Sequence, residues 1–319
     1  MSRPTVFVTR KLPAAVEARA TRDYNARLNP DDRIYTADEL IARAADVDAM
    51  LICTSEKITA ALVGRLPARL KVISTFSVGY EHIDVAACRA RGIVAANTPG
   101  AMTEATANIA MLLMLGAARR GYEAQQMVRR GEWHGWTSTM LLGVDFSGKR
   151  LGIFGMGRIG QAVAERARAF GLQIHYHNRH RLPAPEEQGA VFHDRLDDLL
   201  AVSDILSINA PSSPETRHIL NAEAIARLPD GAIVVNTARG DMVDDEALIA
   251  ALKAGRLRAA GLDVFAGEPQ LNPAYLDLPT AYLLPHLGSA TVETRDRMGF
   301  MALDNIDAVL QGLPAPYPL

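Results

Sequence analysis

The chain has 319 residues, the usual length of two soluble domains that each bury a core of their own. Hydrophobic residues make up 49% and charged residues 22%, so the composition excludes a disordered, collagen-like or fibrous chain. With 34 Lys and Arg against 36 Asp and Glu, the net charge of -2 provides no general positive field for a nucleic acid or an anionic membrane.

The cysteine content and the apolar segments favour a cytoplasmic protein. Cys53 and Cys88 are the two cysteines, and both lie in apolar runs, as buried thiols of a reducing compartment do. The N-terminus enters a predicted strand without an apolar segment of the secretory type. The most apolar stretch, 107–118, is 12 residues long, whereas a membrane span needs about 20. We therefore predict a buried helix there and no membrane span.

In the first third of the chain, short β-branched runs alternate with helical patterns. The predicted strands are 5–8, 49–53, 71–75 and 92–96, and the predicted helices are 12–21, 37–45, 58–66 and 84–91. Such alternation predicts a parallel sheet that is covered on both faces. A long helix at 103–120 follows, with Thr103 as its predicted N-cap. It is apolar nearly all round, so we expect another domain or another subunit to cover it.

A second alternating series begins after a loop at 131–148. Its predicted strands are 150–154, 173–177, 191–192, 205–209, 232–236, 259–264 and 282–284. A last helix is predicted at 292–311, followed by a Pro-rich, extended tail at 312–319. The predicted fold class is therefore α/β, with two Rossmann- or flavodoxin-like domains built on parallel sheets.

A G-x-G-x-x-G motif stands between a predicted strand and the helix that follows it. Its glycines are Gly155, Gly157 and Gly160, with Arg158 and Ile159 inside the motif. The first glycine permits a tight turn, the second lets the backbone approach a pyrophosphate, and the third allows close packing of helix and strand. A dinucleotide pyrophosphate would lie at the helix N-terminus. The alternative is a glycine-rich turn without a ligand, but the strand, turn and helix context favours dinucleotide binding.

The residue about 20 positions beyond the motif predicts which dinucleotide is used, because NAD enzymes usually carry Asp or Glu there to bind the ribose 2′-hydroxyl. This chain has Asn178, and the neighbouring Arg179 and Arg181 can pair with a 2′-phosphate. We predict that NADP(H) is preferred and that NAD(H) can also be used. The alternative is a merely solvated turn. Because the nearby histidines lie beside these arginines, no metal site is predicted from His175, His177 and His180.

Three polar residues of the second series suit acid–base chemistry. Arg239, Glu268 and His286 each follow a predicted strand. Because the carboxyl ends of parallel strands share one edge of a sheet, the three side chains can converge beside the glycine motif. A guanidinium can bind a substrate carboxylate as a fork, an imidazolium can donate a proton, and a carboxylate can keep that imidazole charged. Taken singly, they could be a surface charge, a turn residue and a core histidine.

With these residues in place, the sequence resembles the D-isomer-specific 2-hydroxyacid dehydrogenase family and, within it, the glyoxylate/hydroxypyruvate reductases. The resemblance covers essentially the whole chain. It rests on four motifs in the right order: GMGRIG at 155–160, NTARG at 236–240, GLDVF at 261–265 continuing to Glu268 and Pro269, and PHLGSAT at 285–291. The family implies a catalytic set of Arg, Glu and His, which falls on Arg239, Glu268 and His286.

The resemblance also implies where ligands bind and how the domains are connected. The implied substrate contacts are the backbone N–H groups of Val78 and Gly79, with Arg239, His286 and Arg295. The implied cofactor contacts are the glycine motif, Asn178, Arg179, Arg181, Thr106 near the nicotinamide phosphate, and Ala210, Pro211, Thr237, Ala238, Asp263, His286 and Gly288. Asp263 is also explained as a group that hydrogen-bonds the nicotinamide amide or the loop backbone. The implied substrate domain is 1–99 plus 288–319, and the inserted cofactor domain is 100–287.

One position departs from the related reductases. They often place a tryptophan, from the loop before the glycine motif, in the partner subunit's site, whereas the matching position here is Met140, with Trp136 upstream. The family pattern therefore does not define the substrate pocket of this chain. We expect a homodimer formed through the apolar helix 103–120. Arg295 either reaches the distal end of the substrate or is an exposed helix arginine.

The predicted function is reduction of a small 2-oxo acid, glyoxylate or hydroxypyruvate, by hydride transfer from NADPH to give the D-2-hydroxy acid. Within the class, the alternative is a D-specific reductase for a bulkier keto acid such as 2-ketogluconate. Outside the class, the alternative is a dinucleotide-sensing protein like the transcriptional corepressors of this fold. Such proteins usually carry interaction tails, which are not expected here.

Overall fold

The computed structural model describes residues 3–319 and divides the chain into two compact units. The first unit comprises the chain up to Met102 together with Ala290–Leu319, and the second unit is Thr103–Ser289. The second unit is therefore an insertion in the sequence of the first. Each is an α/β unit built on one parallel sheet.

The first unit has a five-stranded parallel sheet with helices between the strands. Its strands are β1 (Thr5–Val8), β2 (Asn25–Arg27), β3 (Ala49–Ile52), β4 (Val72–Thr75) and β5 (Val94–Ala96), in the order β2-β1-β3-β4-β5. Its helices are α1 (Ala14–Asp23), α2 (Ala37–Ala44), α3 (Ala60–Arg65), α4 (Val85–Ala90) and, at the end of the chain, α12 (Val292–Leu310). Strands β1, β3 and β4 are buried over their whole length, as in a sheet covered on both faces.

The predicted elements of the first unit are confirmed, apart from small shifts at their ends, and one strand was missed. That strand, β2, is a three-residue edge strand that pairs only with β1 and has no buried residue. It lacks the apolar run from which a strand is predicted. The Pro-rich tail is extended: Pro318 pairs with Ala96 of β5, and the Leu319 N–H donates to the Ala95 carbonyl at 2.9 Å.

The second unit has a seven-stranded parallel sheet. Its strands are β6 (Arg150–Phe154), β7 (Gln173–His177), β8 (Val191–Phe192), β9 (Ile205–Ile208), β10 (Ala232–Asn236), β11 (Leu257–Leu262) and β12 (Ala281–Leu283), in the order β12-β11-β10-β9-β6-β7-β8. Its helices are α5 (Thr103–Ala118), α6 (Gly121–Arg129), α7 (Arg158–Ala169), α8 (Ala184–Glu187), α9 (Leu196–Val202), α10 (Ala222–Arg227) and α11 (Asp245–Lys253). All predicted strands of this series are present.

The helix predicted at 103–120 differs from the structure in three ways. Thr103 is the first helical residue rather than the cap before it. The helix ends at Ala118, and Arg120, in the left-handed region at φ +54°, is the N-cap of the unpredicted helix α6. Helix α6 was missed although it carries the apolar side chains Tyr122, Met127 and Val128; none of its residues is buried. The apolar sides of α5 are covered mainly by α7, β10 and β11 of its own unit.

The strand orders place a crevice at one point of each sheet. In the second unit, β6 lies between β7 and β9, because the chain adds β7 and β8 on one side and then crosses to the other. Ligands of open α/β sheets bind at the carboxyl ends of the strands beside such a reversal. In the first unit the reversal lies between β1 and β3, where buried Glu56 accepts hydrogen bonds from the Thr9 hydroxyl and the Cys53 N–H, both 2.7 Å long. A buried carboxylate of the protein therefore bridges the ends of β1 and β3.

Candidate active site

The glycine turn lies at the strand reversal of the second unit, and its geometry fits a dinucleotide. Gly155 has a φ of +97°, and a Cβ there would lie 2.6 Å from the Ala210 Cα on the loop after β9. A Cβ at Gly160 would overlap the Gly155 carbonyl oxygen and lie 3.2 Å from Ile153 Cγ2. A Cβ at Gly157, the N-cap of α7, would meet no atom within 4 Å. Two glycines therefore allow close packing, while the third leaves the helix N-terminus open to an anion.

Asn178 supports the glycine turn from the end of β7. Its Oδ1 accepts a 2.7 Å hydrogen bond from the Met156 N–H. The remaining polar atom, Nδ2, is a donor, which suits phosphate oxygens, whereas an aspartate would offer a second acceptor. Arg179 is exposed and, within residues 3–319, forms no hydrogen bond or ion pair. A donor amide and an exposed cation therefore stand together at the end of β7.

Arg181, which the sequence predicts to pair with a 2′-phosphate, pairs instead with Glu187. The carboxylate accepts hydrogen bonds of 2.8 Å from Nε and 3.0 Å from Nη2. Buried Glu187 also accepts a 2.6 Å hydrogen bond from the Tyr176 hydroxyl. The fork to Arg181 and the bond from Tyr176 hold the pKa of Glu187 below its ordinary value. The pairing arises because α8 returns Glu187 to the loop after β7, which sequence spacing does not reveal.

Arg239 is presented by a tight turn after β10. The side chain of fully buried Asn236 shapes this turn, since it donates to the Arg239 carbonyl and accepts from the Ala238 N–H, both at 2.9 Å. A Cβ at Gly240 would overlap the backbone of Phe265, so glycine permits the close approach of the two loops. Asn236 and Gly240 were missed as site residues. A buried polar residue at a strand end and a glycine directly after the arginine were the available signals.

Glu268 and His286 form a hydrogen-bonded pair. His286 Nδ1 lies 2.7 Å from Glu268 Oε2, and Glu268 Oε1 accepts a 2.7 Å hydrogen bond from the Phe265 N–H. The hydrogen bond to Glu268 raises the pKa of His286, although burial and the Arg239 charge oppose the shift. Burial acts to raise the pKa of Glu268, but the bonds from His286 and Phe265 hold it below its ordinary value. The pair therefore favours an imidazolium beside a carboxylate.

The other imidazole nitrogen, Nε2, is left to face a ligand. Because the carboxylate can only accept, the Nδ1 atom carries the proton that points to Glu268. The His286 side chain is 48% exposed, so a small molecule can reach Nε2. An imidazolium held in this way is suited to donate a proton, and the neutral imidazole is suited to take it back.

The loop that carries His286 is held by Asp263. The carboxylate of this buried residue accepts hydrogen bonds from the Leu287 N–H at 2.7 Å and the Gly288 N–H at 2.8 Å. Burial raises the pKa of Asp263 in spite of these bonds. His286 itself has a φ of +56°, a conformation that costs a residue other than glycine about 1–2 kcal/mol. Of the two roles expected of Asp263, the structure shows the binding of the loop backbone, and Thr106 adds a 3.0 Å hydrogen bond to the Gly288 carbonyl.

The remaining predicted cofactor residues of the second unit lie at the same edge of its sheet. Arg158 and Ile159 begin α7, Ala210 and Pro211 follow β9, and Thr237 and Ala238 follow β10. Trp136 and Met140 lie in the loop between α6 and β6, where the Trp136 side chain is 79% exposed and Met140 is half-buried.

Three predicted substrate residues belong to the first unit. Val78 and Gly79 lie in the loop after β4, and their N–H groups donate to no acceptor within the described chain, 3–319. Arg295 is exposed in the first turn of α12. Burial raises the pKa of the Cys53 thiol to about 12, and the charge of Arg295 opposes that shift. The predicted substrate residues of the first unit thus provide two backbone donors and an exposed cation.

Residues 3–319 contain neither a group of side chains placed to hold a metal ion nor a helix that could cross a membrane. Among residues 3–319, no group of three or more His, Cys, Asp or Glu side chains is placed to hold a metal ion. The histidines near β7 form a hydrogen-bonded pair instead, with His175 Nδ1 at 2.9 Å from His193 Nε2. Over the same range, no helix is both long and apolar enough to cross a membrane.

The fold, the glycine turn and the acid–base pair define a dinucleotide-dependent oxidoreductase. A family model described as D-isomer specific 2-hydroxyacid dehydrogenase, NAD binding domain, matches residues 111–288. The glycerate dehydrogenase of Hyphomicrobium methylovorum is 49% identical over 321 residues, which cover 100% of both chains. The chain belongs to the D-isomer specific 2-hydroxyacid dehydrogenase family and is an enzyme.

Further relatives carry reductase names. The glyoxylate reductase of Thermococcus litoralis is 40% identical over 97% of this chain and 95% of its own length. The structure of an NADPH-dependent glyoxylate/hydroxypyruvate reductase from Sinorhizobium meliloti, in complex with NADP and malonate, has a TM-score of 0.89 and 33% identity. It covers 100% of this chain and 97% of that one. The predicted family and fold class are confirmed, and the interpretation as a non-catalytic sensor is not supported.

Proposed function

We propose that this 2-hydroxyacid dehydrogenase reduces glyoxylate or hydroxypyruvate to the D-2-hydroxy acid with NADPH. The observation that carries the proposal is the 2.7 Å pair of His286 and Glu268, which stands close enough to Arg239 for its charge to act on both groups. A proton donor beside a carboxylate-binding cation is what reduction of a 2-oxo acid requires.

In the proposed mechanism, the Arg239 guanidinium binds the substrate carboxylate and polarises the ketone. A dinucleotide held by the glycine turn would supply the hydride for C2 of the substrate. As negative charge develops on the ketone oxygen, His286 Nε2 donates its proton, so the C=O group becomes CH–OH. Glu268 holds the imidazolium in orientation and stabilises its charge until the proton has moved. In the reverse direction, neutral His286 accepts the hydroxyl proton.

The proposed coenzyme preference rests on the end of β7. Asn178 offers an amide donor, and Arg179 an exposed guanidinium, where NAD enzymes usually present a carboxylate. Both groups favour a 2′-phosphate, so we propose NADPH as the preferred coenzyme and NADH as a poorer one. The similar reductase from Sinorhizobium meliloti is described as NADPH-dependent, which supports this preference. Arg181 does not contribute to this coenzyme preference as long as its guanidinium is paired with Glu187.

We assign substrate binding in the first unit to the free N–H groups of Val78 and Gly79, which suit a carboxylate, and to exposed Arg295. The first unit is accordingly the proposed substrate domain, and the second unit the cofactor domain.

We also propose that the enzyme is a homodimer. The second unit exposes large apolar side chains along α5, α6 and the loop that follows them. They are Leu112, Tyr122, Val128, Trp133, Trp136 and Leu142, exposed by 36% to 79%. A monomer rarely exposes so much apolar surface in one region. Sedimentation velocity tests this proposal. Wild type should sediment as a dimer, and the Trp133→Ser, Trp136→Ser double variant should dimerise more weakly. A monomeric wild type would contradict the proposal.

The function is tested by a steady-state panel of glyoxylate, hydroxypyruvate, pyruvate and 2-ketogluconate, each with NADPH and with NADH. The proposal expects the highest kcat/KM for one of the first two acids with NADPH. His286→Ala, with NADPH binding retained, should lower kcat by about 10²-fold or more. A higher kcat/KM for 2-ketogluconate, or for NADH, would contradict the substrate or the coenzyme respectively.

A further inference from the structure

The loop after β4 has three consecutive carbonyl groups that are all bound by protein donors. The Ser77 carbonyl accepts a 3.0 Å hydrogen bond from the Thr98 N–H. The Val78 carbonyl accepts a 2.7 Å hydrogen bond from Asn97 Nδ2. The Gly79 carbonyl accepts a 2.7 Å hydrogen bond from the Ser77 hydroxyl. Two of the three donors belong to the adjacent residues Asn97 and Thr98, which follow β5.

These bonds decide where the neighbouring N–H groups point. Both peptide bonds, Ser77 to Val78 and Val78 to Gly79, are trans. In a trans peptide the C=O and the following N–H point in opposite directions. Because the carbonyls of Ser77 and Val78 both face the segment after β5, the N–H groups of Val78 and Gly79 both point away from it. Two adjacent N–H donors on one side form an anion-binding nest.

The Asn97 side chain is the part of this arrangement that the backbone does not supply. Asn97 is 8% exposed, and its main chain is itself anchored: its N–H donates to the Tyr317 carbonyl at 3.1 Å, and its carbonyl accepts from Asn305 Nδ2 at 2.9 Å. The amide therefore reaches the Val78 carbonyl from a fixed position. Without that donor, the peptide between Val78 and Gly79 loses the bond that fixes its plane.

We infer that Asn97 is a positioning residue for substrate binding: it orients the Gly79 N–H, beside the Val78 N–H, toward the carboxylate of the 2-oxo acid. The inference rests on the proposed function for the identity of the anion. Asn97 lies outside the four family motifs, all of which belong to residues 155–291. In this role it touches neither the reacting atoms nor the dinucleotide.

The test compares Asn97→Ala and Asn97→Asp with wild type. Asp has the size of Asn but places an acceptor against the Val78 carbonyl, so both variants remove the donor. We expect the KM for glyoxylate at saturating NADPH to rise about tenfold. The Kd of oxalate, an unreactive carboxylate probe, should rise by the same factor when it is titrated calorimetrically into the enzyme with NADPH. The Kd of NADPH should stay within about twofold, because the change is confined to the carboxylate nest.

Asn29→Ala is the matched control, since Asn29 is a buried asparagine of the same unit whose amide also donates to backbone carbonyls, those of Thr9 and Arg33, both at 2.8 Å. It should lower the Tm like Asn97→Ala but leave the KM for glyoxylate and the Kd of oxalate unchanged. An equal rise of KM in Asn29→Ala, or wild-type oxalate binding in both Asn97 variants, overturns the inference. If wild type binds oxalate but reduces no 2-oxo acid, the proposed function fails while the oxalate comparison still decides the role of Asn97.

Discussion

The His286 Nδ1 atom lies 2.7 Å from Glu268 Oε2, while the second carboxylate oxygen accepts the Phe265 N–H of its own loop. Glu268 is therefore immobilised before it orients the imidazole. The hydrogen bond to this anchored carboxylate raises the pKa of His286, so the imidazolium persists to higher pH than in a free histidine.

This relationship predicts the pH dependence of the enzyme. Reduction needs the imidazolium, so its kcat/KM should be constant below the raised pKa of His286 and fall as the pH rises through it. Oxidation of the hydroxy acid needs the neutral imidazole and should show the opposite trend. Glu268→Gln removes the charge that raises this pKa, so the decline of reduction should move to lower pH. Initial rates across pH 5 to 10 test the direction.

At pH 8 the Glu268→Gln variant should have lost about tenfold or more of the wild-type kcat/KM for reduction. Its NADPH affinity, measured by fluorescence titration, serves as the control and should be unchanged. A pH profile that coincides with that of wild type would show that Glu268 does not set the protonation of His286.

Substitution by alanine should have different consequences at two glycines of the turn, Gly157 and Gly160. Gly157→Ala should fold normally, since its Cβ meets no protein atom within 4 Å, yet weaken NADPH binding by filling the space beside the helix N-terminus. Its Tm should stay within about 2 °C of wild type, while the Kd rises about tenfold or more. Gly160→Ala should instead lose about 1–3 kcal/mol of unfolding free energy, because its Cβ overlaps the Gly155 carbonyl. Equal loss of stability in both variants would contradict the assigned roles.

The two arginines after β7 should differ in their effect on coenzyme choice. Arg179→Ala should raise the KM for NADPH about tenfold with little change for NADH, because it removes the exposed cation. Arg181→Ala should change the NADPH to NADH ratio of kcat/KM much less, because Glu187 already takes its guanidinium. It should lower the Tm instead, since buried Glu187 loses its cation. If Arg181→Ala abolishes the NADPH preference, the pair must open when the coenzyme binds.

Asp263→Ala tests the support of the catalytic loop. The variant leaves the N–H groups of Leu287 and Gly288 without the acceptor they have in the structure, and His286 without the restraint that holds its left-handed backbone. We expect a loss of about 2–4 kcal/mol in unfolding free energy and a lower kcat, with the decline of reduction moved to lower pH because the Asp263 charge helps to raise the pKa of His286. Chemical denaturation with circular dichroism measures the first quantity. Wild-type stability in this variant would argue that the loop does not depend on Asp263.

Most of the fold could be read from local patterns. Most strands have a short apolar run, β7 alternates polar and apolar residues, and the alternation of strands and helices leaves a covered parallel sheet as the consistent arrangement. Of the missed elements, β2 has no apolar run and depends on pairing with β1. Helix α6 carries the apolar side chains Tyr122, Met127 and Val128 but buries none of them within the chain.

The sequence by itself determined the dinucleotide turn and the set of Arg239, Glu268 and His286, because parallel strands bring their carboxyl ends to one edge whatever the details of packing. Tertiary structure alone decided how the polar groups around them are used. Glu187 pairs with Arg181, Asp263 binds the loop of His286, and Asn97 binds the Val78 carbonyl. Hydrogen bonds form only at about 3 Å. Arg181 meets Glu187, six residues on, because α8 turns back on the loop after β7, whereas Asp263 and Leu287, 24 residues apart, and Asn97 and Val78, 19 residues apart, meet only when strands and loops are packed.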